Sequence, residues 1–208
     1  MQLVIDGPFG APAQDYYKFH TVVLVGAGIG VTPFASILQS LIIRLRDPVF
    51  KALLHRDRFA SQHDWLPGAV GFATRVVHFY WVVRDLDMYH WFHALVEELH
   101  QQAQADPEVV GRFKLHLFYT GKKQVDVRNV ESQGISFHQG RPKWSFELEQ
   151  IGYEYRNNTE LKSGIDGVGV YLCGPKPIKK DLSQVCQEQS KKVHGNVSTN
   201  FHFYAESF

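Results

Sequence analysis

VLVGAGIGVTPF, at residues 23–34, is the stretch that decides the fold of this 208-residue chain. An apolar run ends in three glycines at alternate positions, and a helical pattern follows over about 33–46. This order predicts a strand, a glycine turn and a helix, with Thr32 as the helix cap and Pro33 at the first helical position. The free N–H groups of such a helix start favour a pyrophosphate, which indicates a dinucleotide site. The glycine spacing differs from GxGxxG, so a tight turn without a ligand is the alternative.

The rest of the chain alternates between predicted strands and predicted helices. The segments 47–74 and 120–140 are expected to be loops, and a short helix is expected after Trp144. Such alternation predicts an α/β fold, a parallel sheet with helices on both faces. The predicted strands are 3–5, 21–26, 75–83, 113–119, 168–173 and 200–205, and the further helices are 88–104 and 176–190.

Composition excludes several classes of protein. A formal net charge of +1 without a basic stripe argues against a nucleic-acid partner. The longest apolar runs are far shorter than the roughly 20 residues that cross a bilayer. Cys173 and Cys186 are the two cysteines, too few for a disulfide framework, which favours a reducing compartment. His90, His93 and His100 lie in a predicted helix without an HExxH motif, so no metal site is predicted.

Four short sequences stand at the ends of predicted strands, namely Gly26–Gly30, Arg84-Asp85, Thr120-Gly121 and Cys173-Gly174-Pro175. In parallel α/β sheets, ligands bind outside the carboxyl ends of the strands, so these sequences should share one edge. Arg84 follows the second main strand, where a cation would meet a 2′-phosphate, and Arg141 is a second candidate cation. These arginines favour NADPH over NADH. Asp85 keeps NADH open, because NAD sites place a carboxylate there.

Cys173, Glu206 and Phe208 are candidates for contact with the rings of a nicotinamide or a flavin. Cys173 ends an apolar strand before Gly174-Pro175, which favours a packing or polarising role near a nicotinamide rather than a nucleophile. Phe208 is the last residue of the sequence, and its ring is suited to stack on a flavin. Glu206 would add a carboxylate near that ring.

Six motifs occur along the chain in the order DGPFG (6–10), GAGIGVTPFASIL (26–38), FYWVVRD (79–85), GRPKW (140–144), LCGP (172–175) and ESF (206–208). Together they resemble the C-terminal dehydrogenase region of NADPH oxidases, membrane enzymes that make superoxide or hydrogen peroxide. The resemblance covers residues 3–208, and residues 6–16 are also similar to calcium-regulated and plant members. It implies a nicotinamide-binding lobe of the ferredoxin-reductase type.

The resemblance also implies a set of site residues. Catalytic roles fall on Cys173, Glu206 and Phe208, with Phe208 stacked on the flavin and displaced for hydride transfer. The cofactor-binding set comprises the residues that hold the pyrophosphate, those that meet the adenosine phosphate end and those beside the nicotinamide. Its members are Gly28, Ile29, Gly30, Val31, Thr32, Pro33, Arg84, Asp85, Arg141, Pro142, Cys173, Gly174, Pro175 and Phe208.

The implied whole protein is larger than this chain. Residues 1–15 are expected to be the end of a FAD-binding barrel and its linker, and residues 16–208 the NADPH-binding domain. The implied cofactors are NADPH, FAD and haem. The implied partners are the FAD lobe, a haem-containing transmembrane domain, and a regulatory domain or subunit, which places this soluble segment on the cytoplasmic side of a membrane. A ferric-chelate reductase of the same superfamily and a non-catalytic nucleotide-sensing module are the alternatives.

Overall fold

The computed structural model describes residues 12–46, 73–85, 87–105, 112–122, 135–157, 165–194 and 197–206. The predicted strand at 3–5, most of the predicted loop at 47–74, and Phe208 lie outside the described residues. The strands are β1 (Phe19–Ala27), β2 (Val76–Val83), β3 (Phe113–Tyr119), β4 (Ile135–Gln139), β5 (Ile165–Cys173), β6 (Val193–His194), β7 (Val197–Ser198) and β8 (Phe201–Glu206). The helices are α1 (Thr32–Arg46), α2 (Asp87–Gln104), α3 (Trp144–Asn157) and α4 (Lys176–Lys191), with 3-10 helices at Pro12–Lys18 and Gly28–Val31.

Six strands form one parallel sheet in the order β4-β3-β2-β1-β5-β8. All nine residues of β1 are buried, as expected for a strand covered on both faces. Because every strand of this sheet points the same way, their carboxyl ends meet at one edge. The α/β prediction with a parallel sheet is confirmed.

Two helices cover each face of the sheet. On one face, Leu24 of β1 shares a core with residues of α1 and α2. On the other, Val25 shares a second core with residues of α3 and α4. Burying a side chain such as Leu24 stabilises the fold by about 1.5–3 kcal/mol. The prediction of helices on both faces is therefore also confirmed.

The prediction of a loop through 120–140 is wrong at its end, where β4 pairs with β3. Only Ile135 of β4 is buried, because β4 is the edge strand of the sheet. Its polar residues hid the strand from a pattern that looks for apolar runs. The helix after Gly140 is also longer than predicted, since α3 has 14 residues.

The 3-10 helix Pro12–Lys18 was not predicted. It packs on β5 and β8, and its Ala13 and Tyr16 are buried in the same core as α1. Tyr16 also accepts a hydrogen bond at its backbone oxygen from the Thr74 hydroxyl, at 2.9 Å. The segment is thus joined to the sheet, and the domain boundary at residue 15 stays a prediction.

Three histidines of the sheet have pKa values below the ordinary 6.5, about 4 for His20, about 3 for His78 and about 4 for His116. Burial is the largest cause in each case, followed by the charge of Arg75, Lys114 or His138 respectively. Below pH 6.5 the unfolded chain therefore binds more protons than the folded chain. The free energy of unfolding should fall as the pH drops from about 6.5 towards 4, by up to about 1.4 kcal/mol per pH unit for each histidine.

Urea denaturation at several pH values measures this decrease. A His78→Phe variant lacks one of the three proton-binding groups, so its free energy of unfolding should fall less steeply. A free energy of unfolding that stays constant between about pH 7.5 and 5 would contradict the buried, neutral state of these histidines.

Candidate functional site

The carboxyl ends of β1, β2 and β3, together with the turn after β5, surround a cleft of about 690 Å³. Ligands of open parallel sheets bind at this edge. The cleft brings together five of the predicted site residues, Gly28, Ile29, Arg84, Asp85 and Pro175. Thr120 and Gly121, expected at this edge from the sequence, line the cleft after β3.

The glycine turn after β1 forms the start of a helical path. Gly28 has φ 57°, a left-handed conformation that glycine adopts without the steric cost of a Cβ. The 3-10 helix Gly28–Val31 continues directly into α1, so the helical path begins one turn earlier than predicted. The first N–H groups of a helix have no partner within it, and here that first turn adjoins the cleft.

The prediction that Thr32 caps α1 is wrong. A cap residue has non-helical dihedral angles, whereas Thr32 has φ −55° and ψ −44°. Its hydroxyl donates to the backbone oxygen of Ile29 at 2.6 Å instead of accepting from an N–H group. Pro33 consequently lies inside the helical path rather than at its first position, and Ala27 is the extended residue before it.

A tryptophan of the neighbouring strand holds the glycine turn. The indole Nε1 of Trp81 donates to the backbone oxygen of Gly28 at 3.2 Å. Trp81 is 2% exposed and contacts Phe92 of α2 edge to face, so packing restricts the indole ring. The turn is therefore fixed to β2 before any ligand arrives, and Trp81 is a functional candidate that the sequence reasoning missed.

Arg84 and Asp85 follow β2 and are both exposed at the cleft. The structure gives Asp85 a hydrogen-bond partner at the start of the next helix. Oδ1 of Asp85 accepts a hydrogen bond from the backbone N–H of Asp87, the first residue of α2, at 3.1 Å. Asp85 is the carboxylate for which NADH remained an alternative to NADPH. One of its oxygens thus has a hydrogen bond to the helix that follows it.

Arg141 and Pro142 follow β4 at the same edge of the sheet, but neither lines the cleft. The N–H of Gly140 donates to the oxygen of Tyr119 at 2.8 Å, which ties the start of this segment to β3. Arg141 is exposed. Since β4 is three strands away from β1, and strands lie about 4.8 Å apart, the segment begins roughly 14 Å from the glycine turn.

Cys173 and Glu206 are neighbours at the ends of β5 and β8. They are paired in register, and the N–H of Gly174 donates to the backbone oxygen of Glu206 at 3.4 Å. Burial, and secondarily the charge of Glu206, raises the pKa of the Cys173 thiol, so at neutral pH the sulfur is protonated. A protonated thiol is a poor nucleophile, which agrees with the packing or polarising role predicted for it.

The Cys173–Glu206 corner adjoins Pro33 and Phe34 of α1, and no space for a water molecule separates these side chains. Oε1 of Glu206 is buried and accepts no hydrogen bond from any described residue. A buried carboxylate oxygen without a donor is costly, so this atom is suited to meet a donor from outside the described chain. Gly30, Val31 and Thr32 lie along the helical path between this corner and the cleft.

Within the part of the chain that the structure describes, none of the helices combines the length and the apolar character that crossing a lipid bilayer requires.

Comparison with known proteins agrees with this geometry. Residues 19–187 match the family described as the ferric reductase NAD binding domain. The whole chain is 29% identical to respiratory burst oxidase homolog protein E of Arabidopsis thaliana, covering 23% of that protein, and 30% identical to its homolog protein D, covering 22%. It is also 30% identical to NADPH oxidase 1 of Mus musculus, covering 32% of that protein. The chain thus spans about a quarter to a third of these relatives, and it belongs to the family of ferric reductase NAD binding domains.

Proposed function

We propose that this chain is the NADPH-binding part of a membrane NADPH oxidase. The observation that carries the proposal is the cleft itself, in which a left-handed glycine turn at Gly28 and the cation of Arg84 lie on adjacent strands. A dinucleotide needs close backbone approach at its pyrophosphate and a charge match at its adenosine end. The relatives named as oxidases add support, because they cover the whole of this chain.

The choice of NADPH over NADH rests on charge. NAD sites use a free carboxylate at the end of the second strand to bind the ribose hydroxyls, whereas NADP sites use a cation for the 2′-phosphate. In this cleft, one oxygen of Asp85 accepts the N–H of Asp87, and Arg84 is exposed. This arrangement favours a 2′-phosphorylated nucleotide.

The chain's own residues bind and orient the nucleotide. The turn Gly28–Val31 receives the pyrophosphate at the start of the helical path, and Pro175 borders the cleft on the side of β5. The nicotinamide end then approaches Cys173 and Glu206 from the edge of the sheet, because the corner between them has no room for a ring. Glu206 supplies a carboxylate oxygen, and Cys173 a neutral sulfur, beside the carbon that loses hydride.

The remaining chemistry belongs to groups held by other parts of a longer protein. FAD held there would supply a hydride acceptor for C4 of NADPH, and haem would supply one-electron transfer to oxygen, with superoxide or hydrogen peroxide as the product. Oε1 of Glu206, which accepts no hydrogen bond from the described residues, fits a flavin or nicotinamide that offers a donor at this edge. Phe208, which follows β8, is proposed as the ring that covers the flavin.

The partners in this proposal are a FAD-binding lobe joined through residues 1–15, a haem-containing transmembrane domain, and a regulatory domain or subunit. This domain would lie on the cytoplasmic side of the membrane. The greater length of the relatives leaves room for these further parts. The resemblance of residues 6–16 to calcium-regulated and plant members makes one of those the proposed subtype.

A ferric-chelate reductase is the second candidate, because the description of the matching family names ferric reductases. The two enzymes share nucleotide binding and hydride transfer and differ in the final acceptor. Membranes that contain the full-length protein separate them when superoxide and ferrous chelate are measured side by side. We expect NADPH-dependent superoxide or peroxide, whereas ferrous chelate formed without reduced oxygen would favour the reductase.

The same preparation tests the role of the C-terminus. Deleting Phe208 should change the rate at which NADPH reduces the flavin of the full-length protein. The isolated chain should bind NADPH yet oxidise it no faster than buffer. An unchanged flavin reduction rate after the deletion would favour the nucleotide-sensing alternative. NADPH turnover by the isolated chain without added flavin would contradict the proposal.

A further inference from the structure

Two cations border the cleft from adjacent strand ends. Arg84 follows β2 and Lys122 follows β3, and both side chains are exposed while lining the same space. Arg141, the second cation expected from the sequence, does not line it. Lys122 is therefore a second cation at the cleft that the sequence analysis did not name, and the role of Arg141 stays a prediction.

The loop that carries Lys122 is held against the end of β2. Both the N–H and the hydroxyl of Thr120 donate to the backbone oxygen of Val83, at 2.7 and 3.0 Å. Val83 directly precedes Arg84, so the loop after β3 is fixed one residue from the other cation. The positions of the two cations are thus coupled through the backbone.

Gly121 brings the two loops closer than any other residue type would. A Cβ at this position would lie 2.5 Å from the backbone oxygen of Arg84 and 2.2 Å from the Tyr119 hydroxyl. From the other side, Nε2 of Gln139 donates to the backbone oxygen of Gly121 at 3.1 Å. The loop is consequently clamped between β2 and β4, and Lys122 emerges from it beside Arg84.

We propose that Lys122 is a specificity-determining residue, which with Arg84 brackets the 2′-phosphate of the nucleotide. The inference rests on the proposed nucleotide-binding function and deepens it. A 2′-phosphate carries close to two negative charges, which one guanidinium only partly balances. Arg84 supplies a planar fork and Lys122 a compact ammonium on a flexible stem, so the two cations contact different oxygens of the phosphate.

Calorimetric titration of the chain with two probes tests this role. Adenosine 2′,5′-bisphosphate carries the 2′-phosphate, and adenosine 5′-monophosphate lacks it. For Lys122→Ala we expect the Kd of the bisphosphate to rise about tenfold, with the Kd of the monophosphate nearly unchanged. Lys122→Arg should restore most of the bisphosphate affinity. Because Lys122→Ala removes a charge, it should also reduce the salt dependence of bisphosphate binding.

Lys191 provides the matched control. It is an exposed lysine in the last turn of α4, at the far end of a helix about 24 Å long that begins beside the cleft. Lys191→Ala removes the same charge and should leave both Kd values unchanged. Thermal unfolding of each variant confirms that the fold is retained.

The outcomes separate this inference from the proposed function. If the parent chain binds the bisphosphate more tightly than the monophosphate, and Lys122→Ala keeps that ratio, Lys122 does not read the 2′-phosphate. An equal loss for both probes also overturns the inference, since it would mean that Lys122 contributes general attraction. If the parent chain binds neither probe, nucleotide binding itself fails, whatever the role of Lys122.

Discussion

Gly28→Val is expected to weaken NADP⁺ binding by at least about 100-fold. Gly28 has φ 57°, which a β-branched residue adopts only with strain of about 1–3 kcal/mol. The added side chain would also lie where the backbone must approach the pyrophosphate. Relieving the strain would move the first turn of the helical path and its hydrogen bond from Trp81. Calorimetric titration of the folded variant with NADP⁺ measures the loss.

Gly167→Val is the control for general destabilisation. Gly167 has φ 113° near the amino end of β5, and a Cβ there would lie 2.4 Å from the backbone oxygen of Asn200. The substitution therefore imposes at least as large a cost at the opposite edge of the sheet from the cleft. We expect both variants to unfold at lower temperature, and only Gly28→Val to lose the nucleotide. Equal loss of affinity in the two variants would show that general destabilisation, not the turn, determines binding.

Arg84→Ala is expected to weaken NADP⁺ binding about 10- to 100-fold, with NAD⁺ binding changed much less. A hydrogen bond between a guanidinium and a phosphate contributes about 1.5–3 kcal/mol, and NAD⁺ lacks that phosphate. Arg84 is exposed, so its removal should leave the melting temperature almost unchanged. Titration of the same variant with both nucleotides gives the ratio directly.

Arg84→Lys separates charge from shape. It keeps the cation but loses the planar fork, so we expect an intermediate affinity for NADP⁺. If Arg84→Ala weakens NADP⁺ and NAD⁺ equally, Arg84 is structural and the preference for a 2′-phosphate must come from elsewhere in the cleft.

The interior of the sheet was predictable from the sequence because its strands are covered on both faces. β1 is buried at every residue and was found from its apolar run 22–25, although His20 and Thr21 hid its start at Phe19. The bounds predicted for β3 were those observed. β4 was missed because an edge strand is half exposed. Its Ile135 and Phe137 alternate with polar residues, and that short alternation is the signal that could have found it.

The site residues that directly follow a single predicted strand could be predicted from the sequence. The glycine turn and Arg84 each follow an apolar run directly, and both border the cleft. The position of Lys122 at the cleft depends on which strands are neighbours and on how the loops pack, and spacing along the chain does not contain it. The contact of Asp85 is local, and an Asp just before a predicted helix is the signal that could have found it. The role of Arg141 remains a prediction, since its segment follows an edge strand outside the cleft.

The central claim is that the glycine turn after β1 and the cation after β2 together bind one phosphorylated dinucleotide. A crystal structure of the chain with saturating NADP⁺ tests it most directly. We expect the pyrophosphate at Gly28–Val31 and the 2′-phosphate in front of Arg84. Ordered NADP⁺ bound away from the carboxyl edge of the sheet, or with its pyrophosphate remote from Gly28, would contradict the account.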